Sequence, residues 1–142
     1  MTLTIEPYEA VGPLRFGMSQ DEVVAAMGNP QRVTKNRSGN AVLWFGEVNA
    51  IMEGDHLAEV GLGPQAPVSV CDVHPFTDPD ALNKLCKLDG DPREVLGSIV
   101  LRRIGVTLGG FHDQDESQKG ITVFSRGRWD VLESQMKPFI FQ

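Results

Sequence analysis

Residues 16–30 have the pattern of one short helix with its own start and stop signals. Ser19 suits the N-cap position, and Glu22 follows three residues later, which is the spacing of a capping box. Gly28 can adopt the left-handed conformation that ends a helix, and Pro30 prevents its continuation. The pattern predicts a helix between Ser19 and Gly28, in which the Ser19 hydroxyl binds a backbone amide and is no nucleophile.

The residues after this helix alternate between apolar and polar side chains, as strands with one solvent-facing side do. Short turns containing Gly and Asn separate them, which predicts an antiparallel meander. A strand at 68–73 and a second helix with Thr77 or Asp78 as its N-cap are predicted next. The predicted strands are residues 32–35, 41–45, 48–53 and 56–62 in the meander, and 99–101, 106–108, 121–124 and 129–132 after the second helix.

The order of a helix followed by β-strands occurs twice along the chain. This order indicates a degenerate tandem repeat with halves at about 11–64 and 68–134. Each helix could cover one face of its own antiparallel sheet. A length of 142 residues suits one domain with a sizeable core. We therefore expect a single α+β domain, 1–142, made of two helix-plus-antiparallel-sheet units in tandem.

The acidic composition limits the partners of this chain. Its 13 basic and 19 acidic side chains give a formal net charge of −6, which argues against nucleic acid because phosphate contacts need a basic surface. The same charge suits a basic protein partner. No apolar run approaches the ~20 residues of a bilayer span, and the first residues lack the features of a signal peptide. We expect a cytoplasmic protein with no membrane partner.

The two cysteines, Cys71 and Cys86, are too few for a disulfide framework. Cys71 lies in an apolar β-type run and Cys86 on the predicted second helix. Both are therefore expected to be reduced thiols in the core, with a single disulfide between them as the alternative.

The chain carries no motif that specifies a reaction. It lacks the Gly-x-Ser-x-Gly elbow of hydrolases and the glycine-rich loops that bind phosphates, although it has 15 glycines. No histidine or cysteine pair has the spacing of a metal site, so we expect no metal, no cofactor and no enzymatic activity. The alternative is a small metal-binding or ligand-binding protein, in which loop residues gather around a divalent cation. Those loop residues are His112, Asp113, Asp115 and Glu116.

Residues 12–30 also carry a family resemblance. The runs Gly12-Pro13-Leu14, Phe16-Gly17-Met18-Ser19, Glu22-Val23 and Gly28-Asn29-Pro30 resemble the helical start of proteins with the β-lactamase-inhibitory-protein-like fold. Outer-membrane assembly lipoproteins of the small-protein-A type share that fold. So do many small bacterial proteins, some of them immunity proteins encoded beside polymorphic toxins.

The second half of the chain adds to this resemblance. Residues 101–108, 121–124 and 127–130 resemble the closing hairpin of tandem members of the fold. The lipidated cysteine of the assembly lipoproteins and the disulfides of the secreted inhibitors have no counterpart in this sequence. The resemblance therefore implies a cytoplasmic immunity protein that inhibits a cognate toxin, with an envelope-assembly module as the alternative.

The first meander supplies the candidate interface for such a partner. Acidic side chains suit a basic toxin domain, and a tryptophan can anchor an interface. The predicted protein-binding residues are Glu47, Glu53, Asp55, Glu59 and Trp44. The apolar tail at residues 138–141 could add an edge strand. Its residues 139–141 could instead pair with a second copy of the chain, which leaves a homodimer open.

Overall fold

The computed structural model describes residues 3–95, 98–109, 120–126 and 134–139. Within these ranges the chain forms two helices and two sheets, a mixed α+β fold in which strands predominate. The helices are α1 (Gln20–Met27) and α2 (Ala81–Asp89). The small sheet contains β1 (Leu3–Glu6), β2 (Ala10–Val11), β3 (Leu14–Arg15) and β8 (Val68–Val70). The large sheet contains β4 (Arg32–Lys35), β5 (Ala41–Phe45), β6 (Val48–Glu53), β7 (His56–Leu62), β9 (Arg93–Val95), β10 (Ser98–Leu101), β11 (Val106–Gly109), β12 (Gly120–Phe124) and β13 (Lys137–Pro138).

Helix α1 confirms the start and stop signals of the sequence. The Ser19 hydroxyl accepts a hydrogen bond from the backbone N–H of Glu22 at 3.2 Å, and the Glu22 carboxylate accepts one from the N–H of Ser19 at 3.1 Å. At the other end, Gly28 has a φ of 86° and its N–H donates to the Val24 carbonyl. Local bonds therefore fix both ends of the helix, while Val23 is buried in the core.

The large sheet is antiparallel and joins two meanders. Strands β4 to β7 follow α1 and pair in chain order, and strands β9 to β12 follow α2 and do the same. The last strands of the two meanders, β7 and β12, pair with each other, and Val60 lies opposite Val123. A tandem repeat requires this order of elements, and the repeat itself stays a prediction. The predicted strand at 129–132 lies outside the described residues.

The small sheet joins the start of the chain to the segment ahead of α2. Strand β1 pairs antiparallel with β2 and parallel with β8, where Ile5 lies opposite Val70. Its apolar side chains share one buried cluster with those of the helices and the large sheet, among them Val23, Leu85 and Leu108. The small sheet and the helices therefore cover one face of the large sheet. The sequence did not predict β1, β2 or β3, and the last two are too short, at two residues each, to show alternation.

Helix α2 begins later than predicted, and neither Thr77 nor Asp78 caps it. Its N-cap is Asp80, which has a left-handed conformation with a φ of 58° and makes no side-chain capping bond. The Asp78 carboxylate instead accepts the N–H of His74 at 2.9 Å, and this bond holds the pKa of Asp78 below its usual value. The predicted cap is therefore wrong because Asp78 closes the preceding turn rather than the helix.

A buried carboxylate fixes the end of α2. Asp89 is 1% exposed. Its side chain accepts the backbone N–H groups of Arg103, Ile104 and Asp91 at 2.8, 3.2 and 3.1 Å. Since these donors satisfy the buried acceptor, Asp89 ties the helix to the turn between β10 and β11.

The two cysteines lie in different environments. Cys71 and Asp72 form a turn after β8 with φ values of 49° and 65°, and Cys71 is exposed. The expected core position is wrong for Cys71, because this turn lets Val73 pair back onto Val70 and ends the strand early. Cys86 is buried on α2, and its burial, together with the nearby charge of Asp89, raises the pKa of the thiol to about 11. Both thiols are free.

The tail adds an edge strand one residue earlier than the apolar run suggests. Strand β13 pairs with β9, and Pro138 lies opposite Arg93. Phe139 is partly buried against the core, and its N–H donates to the Pro92 carbonyl at 2.9 Å. Residues 140–142 lie outside the described residues, and the homodimer stays a prediction.

Candidate functional site

The large sheet has one face in the core and a groove on the other. Side chains alternate along each strand, so residues in register across the sheet project from the same face. The register places Trp44, Asn49, Gly61, Thr122 and Thr107 side by side, opposite the core. A groove of about 450 Å³ follows this row. It crosses the junction between the two meanders, and its volume lies in the range of ligand pockets.

Glycines form the floor of this groove: Gly61 on β7, Gly63 directly after β7, Gly109 on β11 and Gly120 on β12. A glycine inside a strand lets another group approach the backbone closely. A Cβ added at Gly109 or Gly120 would find its nearest atom at 3.9 or 3.7 Å, which is ordinary contact. The space above β11 and β12 is therefore open at these two positions.

Two polar side chains, Asn49 on β6 and Glu47 directly before it, lie across Gly61 and Gly63. A Cβ at Gly61 would lie 2.1 Å from Oδ1 of Asn49, and a Cβ at Gly63 would lie 1.8 Å from Oε2 of Glu47. The two glycines thus allow an amide and a carboxylate to lie flat on the sheet. Glu47 is the charged residue among the described residues that line the groove.

Asn49 has a polar atom that the fold leaves unsatisfied. Its Oδ1 is buried and has no hydrogen-bond partner in the described part of the chain. A buried acceptor without a donor costs roughly 1–3 kcal/mol, and such groups are rare enough in native proteins to require a reason. Oδ1 lies against Gly61, so a donor supplied by a bound molecule would remove this cost once the amide turns its oxygen toward the groove.

Trp44 forms the wall of the groove on the β5 side. Its indole N–H donates to Oγ1 of Thr34 at 2.9 Å. The guanidinium of Arg32 lies 4.5 Å from the centroid of the indole ring, a cation–π contact. These two contacts from β4 hold the ring in one orientation, so the groove has a preformed aromatic wall.

The far end of the same face carries hydroxyl groups and then a second apolar cluster. Thr107 and Thr122 line the groove, and their hydroxyls can donate or accept hydrogen bonds. Beyond them, Phe124 packs in a small buried cluster with Tyr8. The centroids of the two rings are 5.8 Å apart. The Arg126 guanidinium lies 4.3 Å from the Tyr8 ring centroid. This cluster marks the end of the open part of the face.

The structure places the predicted interface residues in two regions. Trp44 and Glu47 line the groove, and Glu59 lies on the same face of β7. Glu53 is exposed at the end of β6, and Asp55 lies in the turn between β6 and β7. The five residues therefore do not form one patch, and each one's role in binding stays a prediction.

Asp55 has a contact within the fold. Its carboxylate accepts the backbone N–H of Gln20, the first residue of α1, at 3.0 Å. A carboxylate at a helix N-terminus also interacts favourably with the helix dipole. Asp55 thus joins the β6–β7 turn to α1.

Sequence reasoning missed Asn49, the glycines of the floor and the two threonines. A signal was present in the alternation: Glu47, Asn49 and Ile51 alternate with buried residues along β6 and the residue before it, and Glu59, Gly61 and Gly63 do so along β7 and the residue after it. That alternation identifies a solvent-facing side. It does not indicate that β12 and β11 continue the same row.

The described residues offer no metal site and no membrane-spanning helix. No group of three or more His, Cys, Asp or Glu side chains among them lies close enough to hold a metal ion. Neither described helix has the length and apolar character to cross a bilayer. The loop proposed as the alternative metal site, with His112, Asp113, Asp115 and Glu116, lies outside the described residues.

Comparison with known proteins leaves the family open. No protein-family model matches the chain, and neither a curated protein nor a solved structure matches it significantly. The chemistry of the site itself therefore has to indicate the function.

Proposed function

We propose that this chain is a non-enzymatic protein that binds another protein through the groove of its large sheet. The buried Asn49 oxygen supports this best, because it lies in the groove and lacks a donor within the described residues. A rigid tryptophan beside it, Trp44, is the type of side chain that anchors protein interfaces. The groove combines an aromatic wall with polar groups, as interface centres and rims do.

The particular role we propose is that of a cytoplasmic immunity protein that inhibits a cognate bacterial toxin. The resemblance of residues 12–30 to the β-lactamase-inhibitory-protein-like fold supports it, as does the order of helix and meander in both halves. The net charge of −6 favours a basic toxin domain, such as a nuclease, as the partner. Such an inhibitor needs a rigid scaffold and a complementary surface, and no catalytic centre.

The test is capture of the partner from the native cytoplasm, with the product of the adjacent gene as the first candidate. We expect a one-to-one complex with a toxin-like protein. Trp44→Ala should weaken this complex by about 30-fold or more, the scale of a central interface residue. Glu47→Lys should weaken it as well. Glu6→Lys is the matched control, since Glu6 is exposed on β1 and lies outside the groove.

Two outcomes would contradict the proposal. If no protein partner is captured under conditions in which the chain is folded, the binding function is wrong. If Glu53→Lys abolishes capture while Trp44→Ala leaves it unchanged, the partner binds at the β6–β7 turn and not in the groove.

A further inference from the structure

We infer that the groove receives a single arginine side chain of the partner, with the guanidinium placed between Glu47 and Asn49. This inference rests on the proposed function, since it names the chemistry that the partner presents to the groove. The three features that define the arginine site are the two acceptors, Glu47 and Asn49, the glycine floor and the wall formed by Trp44.

The two acceptors of the arginine site favour a positively charged donor. Glu47 contributes a carboxylate, and no ion pair with this carboxylate occurs among the described residues. Asn49 contributes Oδ1, which is buried and lacks a donor in the same part of the chain. A group that donates to both must carry several N–H bonds and compensate one negative charge.

The spacing of the two acceptors favours a planar, forked donor. Oε2 of Glu47 lies over Gly63 and Oδ1 of Asn49 lies over Gly61, so the two acceptors are next to each other above the sheet and separate in position. A guanidinium presents five N–H donors along the edges of one plane and can donate to two separate acceptors at once. An ammonium group is more compact and more strongly hydrated. The geometry therefore favours arginine over lysine.

The floor and the wall suit the rest of an arginine side chain. An aliphatic stem can lie on the bare backbone at Gly109 and Gly120, where the space above the sheet is open. A guanidinium also stacks on indole rings, and Trp44 already holds the guanidinium of Arg32 at 4.5 Å. Arg32 occupies one face of this ring, so the partner's guanidinium would stack on the other.

The direct test is titration of the full chain with a blocked pentapeptide, Gly-Ser-Arg-Ser-Gly, followed by amide NMR. We expect saturable shifts at the amides of Gly61, Gly63, Gly109 and Gly120 and at the indole N–H of Trp44. The same peptide with citrulline in place of arginine keeps the shape and loses the charge. It should bind about fivefold more weakly, the scale of a partly exposed charge pair.

Two variants test the arginine site from the protein's side. Glu47→Gln should weaken binding of the arginine peptide about fivefold, while Glu6→Gln, on β1, should leave it unchanged. Gly120→Ala should weaken binding about tenfold, because its methyl group fills the floor. This variant should still fold, since the new Cβ meets its nearest atom at 3.7 Å. Native amide shifts outside the groove check that it does.

Several results would overturn the inference. If the arginine and citrulline peptides bind equally, the positive charge does not contribute to binding. If a lysine peptide binds more tightly than the arginine peptide, the site does not select a guanidinium. Shifts confined to residues outside the groove, or equal effects of Glu47→Gln and Glu6→Gln, would place the site elsewhere.

The two experiments distinguish an error in the arginine site from an error in the proposed function. If a partner protein is captured and Trp44→Ala weakens capture while Glu47→Gln does not, the groove binds protein without an arginine. If the arginine peptide binds as expected and no protein partner is captured, the arginine site is confirmed and the protein-binding role is wrong.

Discussion

Two asparagines of the first meander relate to the backbone in opposite ways. Oδ1 of Asn36 accepts the N–H groups of Ser38 and Asn40, each at 3.0 Å, and so closes the turn between β4 and β5. Oδ1 of Asn49 is buried and has no partner among the described residues. The first side chain therefore stabilises the fold, and the second reduces its stability in favour of a polar group in the groove.

Replacement of these asparagines should change stability with opposite signs. Asn49→Val should raise the free energy of unfolding by about 1 kcal/mol, because it removes an unsatisfied acceptor and places a β-branched residue in a strand. Asn36→Ala should lower it by about 1 kcal/mol, because two backbone donors lose their acceptor. Urea denaturation with an unchanged m-value measures both. A loss of stability in Asn49→Val would mean that the oxygen is satisfied.

At the scale of single elements, α1 depends on interactions at its ends. It has eight residues, whereas isolated helices shorter than about 12 residues are marginal in water. Ser19 and Glu22 exchange hydrogen bonds at its start, and Asp55 adds a third acceptor there. The helix is therefore stable only in combination with its caps and with burial of Val23 against the core.

The Ser19→Ala variant should lower the free energy of unfolding by about 1 kcal/mol, since the N–H of Glu22 loses its acceptor. Ser38→Ala is a matched control at an exposed turn position and should change stability by less than about 0.5 kcal/mol. Chemical denaturation of the two variants beside the unchanged chain gives the comparison. Equal effects of the two substitutions would contradict the role of the capping box.

Asp91 links the second helix to its meander. Its carboxylate accepts from Nε of Arg93 on β9 at 3.0 Å and from Nη2 of Arg102 after β10 at 3.2 Å. The hydrogen bond from Arg93 contributes most to holding the pKa of Asp91 below its ordinary value of 3.8. A depressed pKa in the folded chain means that the contact stabilises the fold while the carboxylate is ionised.

This lowered pKa predicts how the free energy of unfolding changes with pH. The stabilisation by Asp91 is fully present above the ordinary pKa and is lost as pH falls through the lower pKa of the folded chain. The difference in unfolding free energy between the unchanged chain and Asp91→Asn should therefore shrink on acidification. Denaturation at a series of pH values measures it. In an Arg93→Ala background the dependence should become weaker, and an unchanged dependence there would contradict this assignment.

At the scale of the whole molecule, the pairing of β7 with β12 makes one sheet out of two meanders. The buried cluster on its covered face includes Leu43 from the first meander and Leu108 from the second, both with no exposed surface. A shared sheet and a shared core couple the two halves. We therefore expect the halves to unfold together rather than one after the other.

Cooperativity can be tested with one core substitution in each half. Leu43→Ala and Leu108→Ala should each lower the free energy of unfolding by about 3 kcal/mol. In a Trp129→Phe background the fluorescence comes from Trp44 alone, on β5, while circular dichroism reports on the whole chain. Both signals should shift together in both variants. Two separate transitions in Leu108→Ala would show that the halves fold independently.

The edges of the large sheet show how the chain limits further pairing. Strand β4 is exposed at all four positions and carries Arg32 and Lys35, and charged side chains on an edge disfavour pairing with another chain. At the opposite edge, β13 has two residues, and one of them is Pro138, which has no N–H to donate. Both edges therefore disfavour pairing with another chain, β4 through its charged side chains and β13 through its short length and its proline.

The sequence by itself determined the elements that depend on near neighbours. Helix α1 could be predicted because its capping bonds join residues three apart, and β4 to β7 because alternation and turns act within a few residues. The same reasoning failed at Asp78, because its carboxylate accepts the N–H of His74 in the preceding turn and does not cap α2.

Only the tertiary structure decided the groove. Asn49, Gly61 and Thr122 become neighbours through the pairing of β6 with β7 and of β7 with β12. Thr122 is far along the chain from the other two, and no local pattern specifies which strands will pair. Side chains alternate along a strand, so the sequence alone indicates which of them face solvent. The tertiary fold decides which of those side chains meet, because the register between distant strands follows from packing of the whole core.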